Sequence, residues 1–133
     1  MPATDPLTEF RNAWLPNISD IGLSRIVTLL ESGSPLLIHG AFTRAIPMGC
    51  LASHIAWNHS DTGHLADEEA GIVWLTRIAR LNPATSAVIL AWDCEGPLDR
   101  DLIAGLLIAC RDEQARRLAE SDETLLPACV AAE

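Results

Sequence analysis

What most restricts the fold of this chain is the punctuation of its apolar stretches. Runs of leucine, isoleucine and alanine begin after Ser, Asp or Pro and stop at Gly or Asn, whereas the apolar–polar alternation of a half-buried strand is scarce. In "SDIGLSRIVTLLESGSP", Ser19 or Asp20 can cap the start, Leu23, Ile26, Leu29 and Leu30 share a helical face, and Gly33 can close the helix in the left-handed conformation. "IPMGCLASHIAWNH" reads as a helix from Pro47, near its first position, to about Asn58. In "ADEEAGIVWLTRIARLNP", Asp67, Glu68 and Glu69 in the first turn and Arg77 and Arg80 in the last suit the helix dipole, and Asn82 ends the run. "PATSAVILAWD" is β-branched enough for a strand, but its Asn82-Pro83 start favours a helix. "GPLDRDLIAGLLIACRDEQARRLAE" is the longest candidate, with Leu98, Leu102, Leu106 and Ala109 or Cys110 at helical spacing and favourable pairs Asp112–Arg116 and Glu113–Arg117. "PLLIHGAF" reads as a short helix or a buried extended piece.

These signals predict one all-α domain over residues 1–133, a compact bundle of five or six helices built from antiparallel helical hairpins. Residues 1–18 and 121–133 are expected to be peripheral or frayed. The expected core is Ile26, Leu29, Leu51, Ile55, Val73, Leu75, Ile78, Ile89, Leu102 and Leu106. A faint internal repeat suggests duplication: "IAWNH" from Ile55 resembles "LAWDC" from Leu90, and "AGIVWLTR" from Ala70 resembles "AGLLIACR" from Ala104. A period of that length belongs to helical hairpins stacked on one another.

Composition narrows the function. The chain has 133 residues, 49% hydrophobic, with positive mean hydropathy (+0.20), yet no apolar run approaches the length that spans a bilayer. So small a domain cannot hide every apolar side chain, and the excess points to a surface covered by a partner. The formal net charge of −9 falls mostly on residues 61–133, and there is no lysine. Duplex nucleic acid and anionic membranes both select basic footprints, so neither is an expected partner. The opening "MPATDPLTEF" has neither a basic nor an apolar signal region, which places the chain in the cytoplasm.

The one concentration of chemistry is "GCLASHIAWNHSDTGHLADEE", residues 49–69. If the helix holds, Cys50 and His54 are i, i+4 and share a face; a tight loop could then bring His64 and Glu68 to the same ion, with His59 and Asp67 as substitutes. Such a set suits zinc or another divalent transition metal, although no named zinc motif matches. The competing reading is structural: a core thiol, a hydrogen-bonded imidazole and a dipole-complementing acidic turn. A Cys50–His54 nucleophilic pair lacks a third orienting group, and no phosphate-binding glycine loop is present. Cys50, Cys94, Cys110 and Cys129 include no close pair, so free thiols are expected. Trp14, Trp57, Trp74 and Trp92 suit core edges and interfaces. Together these readings favour a non-enzymatic helical interaction protein, an accessory subunit or self-assembling module with a protein partner or homo-oligomeric state. The alternative is a metal-binding protein or small metalloenzyme using Cys50 to Glu68.

Overall fold

The structure, a computed structural model, describes residues 5–34, 36–38, 49–65, 67–94 and 96–132, excluding the side chains of residues 67, 68, 97 and 122–132. Its regular elements are all helical. α1 (Pro6–Glu9) runs into a π-helical turn (Phe10–Trp14) and a 3-10 turn (Leu15–Asn17). There follow α2 (Asp20–Ser32), α3 (Leu51–Trp57), α4 (Asp67–Val73) with a second π-helical turn (Trp74–Ile78), α5 (Ala87–Cys94), a 3-10 turn (Gly96–Leu98) and α6 (Arg100–Ala132). The all-α expectation is met.

Caps explain where these helices begin and end. Ser19 Oγ accepts from Gly22 N–H at 3.0 Å and donates to the Asn58 carbonyl at 2.7 Å, so the start of α2 is tied to the end of α3. Gly33 closes α2 at φ 61°, and Ser34 N–H reaches back to the Leu29 carbonyl at 3.1 Å. Three boundaries differ from the sequence reading. α3 begins at Leu51 with Cys50 as its extended cap, while Pro47 lies outside the described residues. Asn82-Pro83 makes a turn rather than a helix start, because the Asn82 side chain and carbonyl take the N–H groups of Ala84, Thr85 and Ser86, and α5 waits for Ser86 as its cap. α4 gives way to the π turn and ends at Ala79, where Arg80 at φ 58° turns the chain so that Leu81 N–H meets the Leu75 carbonyl at 2.8 Å. Of "PLLIHGAF", Leu37 and Ile38 form a buried extended piece, with Leu37 paired in parallel with Gly49; residues 39–42 lie outside the described residues.

α6 continues through Ala132, a run of about 50 Å. Near the start of the chain Phe10 and Trp14 are 0% exposed, and Leu15 and Ile18 are buried beside them. Phe10 and Trp14, at i, i+4, are buried on the π turn, and Leu15 follows them into the core from the 3-10 turn. α1 packs on both α5 and α6. Leu7 presses so closely on Gly105 that a Cβ there would come within 2.5 Å of its Cδ1. The expected core residues Ile26, Leu29, Leu51, Ile55, Leu75, Ile89, Leu102 and Leu106 are buried, with Val73 and Ile78 half-buried. Trp14 and Trp74, both fully buried, meet with ring centroids 5.3 Å apart and planes tilted by 57°. The sequence repeat has no counterpart in environment: Ile55 is buried where Leu90 is exposed, and Trp74 is buried where Ile108 is exposed.

Candidate functional site

Three places combine polar groups with shape: the Cys50–His64 stretch, a carboxylate inside the core, and a groove between α2 and α6. In the first, Cys50 is buried at the start of α3, its Sγ 3.7 Å from Ser53 Oγ. Burial pushes its thiol above the usual range, so it stays protonated and unreactive. His54 is 2% exposed; its Nε2 lies 2.8 Å from the Leu36 carbonyl and therefore carries the proton, while the ring meets Trp57 edge to face at 5.2 Å. Burial and Arg25 lower its affinity for a second proton, outweighing the carbonyls of Leu36 and Gly49.

His59 Nδ1 accepts from Asp61 N–H at 3.1 Å, which stabilises the turn after α3, and His64 is exposed. Among the described residues no three His, Cys, Asp or Glu groups come together around a point that could hold an ion. Among the described residues Cys50, His54 and His64 do not form such a group: Cys50 is turned inward at the cap position and His54 is committed to Leu36. The side chains of Asp67 and Glu68 lie outside the described residues.

Glu9, which the sequence reading passed over, is the buried carboxylate. It accepts from Trp14 Nε1 at 3.1 Å, Ser86 Oγ at 2.5 Å, Ala87 N–H at 2.9 Å and Val88 N–H at 3.1 Å. It therefore caps α5 from a distant part of the chain, satisfying N–H groups that a helix start leaves free and complementing the dipole. Burial alone would raise its pKa, but the combined hydrogen bonds hold it below the ordinary carboxylate value. With its oxygens so occupied and its side chain enclosed, this group organises the core and is not placed as a general base. Its sequence signal was an acid set beside Phe10 and Trp14.

The groove sits where α6 crosses the start of α2. Arg117 Nη2 donates to the carbonyls of Leu15 and Ile18 at 2.8 Å each, Nη1 to Asp20 at 2.8 Å, and Nε to Glu113 at 2.7 Å. The expected Glu113–Arg117 pair is therefore present, whereas Asp112 pairs with Arg11 and Arg116 with Glu113 and Glu120. Hydrogen bonding from Arg116 and Arg117 holds the Glu113 carboxyl below its ordinary value. Beside this cluster a groove of about 460 Å³ opens over Leu23, Ser24, Gln114, Leu118 and Ser121, with Asp20 and Arg117 at its edge. Leu118 is 68% exposed, and Ile21, on the same helix as Leu23, is 70% exposed. No family model matches the chain, and no curated protein or solved structure is similar enough to it to lend a fold or a function.

Proposed function

We propose that the chain is a non-enzymatic helical interaction protein, an accessory subunit or self-assembling module, whose α2–α6 groove receives an apolar helix face of a protein partner, either a second copy or another subunit. The observation that carries the reading is the groove itself, which opens between α2 and α6 over Leu23 and the largely exposed Leu118. The commitments of the enclosed reactive groups support it: Glu9 is spent on α5, His54 on Leu36, and the Cys110 thiol is pushed by burial to about 12. We infer a compact bundle in which α6 runs antiparallel to α2, with Arg117 meeting Asp20 at one end of α2 and Arg111 meeting Glu31 at the other. A cytoplasmic setting without nucleic-acid partners belongs to the same reading, supported by the net charge of −9. Among the described residues no helix is long and apolar enough to cross a membrane.

Light scattering at tens of micromolar, with binding of an apolar dye, tests the proposal. The expected result is a mass above the 14.3 kDa of one chain, or a monomer whose dye binding is lost in Leu118→Glu. A monomer that binds no dye overturns it.

A further inference from the structure

His54 stands where three pieces of chain meet. Its Nε2–H and the Gly49 N–H both end on the Leu36 carbonyl, each at 2.8 Å. Ile38 N–H donates to the Gly49 carbonyl at 2.9 Å, and the Trp92 indole of α5 donates to the Ile38 carbonyl at 2.7 Å. Among the described residues the Leu37–Gly49 bridge is isolated, and two side chains reach the pairing from α3 and α5. Trp92 has no titrating group to lose its hold with acid, whereas His54 carries an imidazole that can take a second proton.

We propose that His54 is an acid-sensitive fastener of this pairing: when the ring takes its second proton, residues 36–38 separate from Gly49 while the surrounding helical core stays folded. The neutral ring is suited to its place, donating one hydrogen bond from a dry site against Trp57. The imidazolium is not, because opening returns its charge to water. Arg25 on α2 opposes the added charge; Cys50 on α3 is a neutral thiol, Asp93 on α5 acts on that thiol, and Glu69 on α4 is exposed. A released histidine takes its proton near pH 6.5, whereas the held ring does so only at lower pH. Between those values the open form binds more protons, so opening is favoured as pH falls, by up to about tenfold from pH 7.5 to 5.5.

Native-state amide exchange followed by NMR tests this, with rates corrected for intrinsic exchange and the ring titrated in the same samples. Ile38 and Gly49 should open several-fold more at pH 5.5 than at 7.5 while staying much less protected at both pH values than Leu106 and Ala109 inside α6, whose exchange reports unfolding of the whole chain, and the ring should titrate below its ordinary midpoint. His54→Gln should remove the pH dependence at Ile38 and Gly49. Constant exchange at those two amides, a ring titrating at or above the ordinary value, or protection at Ile38 and Gly49 equal to that at Leu106 overturns the proposal. If His54→Gln fails to fold, the ring midpoint and the four amides of the native protein decide alone.

Discussion

Glu9 and His54 each hold a distant stretch of backbone from inside the core, one as an anion and the other as a neutral ring. Glu9 keeps its charge because donors converge on it from Trp14, Ser86, Ala87 and Val88, and because those donors include the free N–H groups of a helix start. His54 is desolvated by burial and has a neighbouring arginine, which together outweigh its carbonyl partners, so its neutral form is favoured. A buried ionisable group is thus kept in the state that its neighbours can satisfy, and what removal or protonation costs depends on how many neighbours are left unpaired.

The largest expected effect is at Glu9. Glu9→Ala leaves the Trp14 indole, the Ser86 hydroxyl and two helix N–H groups without their acceptor, and should destabilise the protein by about 2–4 kcal/mol in denaturant unfolding. A cost below that of His54→Ala would break the comparison. His54→Ala deletes a buried ring but leaves the Leu36 carbonyl still bonded to Gly49 N–H, so about 2 kcal/mol is expected.

Acid should separate the two sites by window. For His54 the folded pKa lies below the unfolded value of about 6.5, so stability is lost as pH falls through 6.5 toward the folded pKa, up to about 1.4 kcal/mol between pH 7.5 and 5.5. For Glu9 the folded pKa is also depressed, so its contribution is fully present above the unfolded carboxylate value and is lost only at more acidic pH. Chemical unfolding across pH should therefore show an early loss that His54→Gln abolishes and a later one that Glu9→Gln reduces. Ser86→Ala sharpens the Glu9 side: it removes one of the carboxylate's donors and the local cap on Ile89 N–H, for about 1 kcal/mol.

What the sequence displayed and what it concealed follow the distance between partners along the chain. α2 was readable because Ser19 and Gly33, which bound it, lie at its own ends. Glu113–Arg117 was readable because helical spacing alone puts the two together. Glu9 was not, because its helix-capping partners lie 77 to 79 positions away, and neither was the hold of Arg117 on Leu15 and Ile18, 102 and 99 positions away. Asn82-Pro83 misled because the same residues that precede helices also build Asx turns, and the local hydrogen bonds of Asn82 chose the turn. The Cys–His stretch was conspicuous in composition, but composition does not say which way a side chain turns.

That stretch supplies the smallest expected effect. A metal site built on Cys50, His54, His64 and Glu68 would stabilise the folded chain on loading, by about 2.7 kcal/mol at a hundredfold excess of ion over its dissociation constant. Loading would require His54 to give up the Leu36 carbonyl and the buried Cys50 thiol to lose its proton, while His64, now exposed, would have to move to meet them. Tag-free protein with tens of micromolar zinc should therefore unfold at the same denaturant midpoint as without it, and His64→Ala should unfold with wild type in both conditions. A zinc-dependent rise in the wild-type midpoint that disappears in both His64→Ala and His54→Ala would sink this reading and make His54 a ligand.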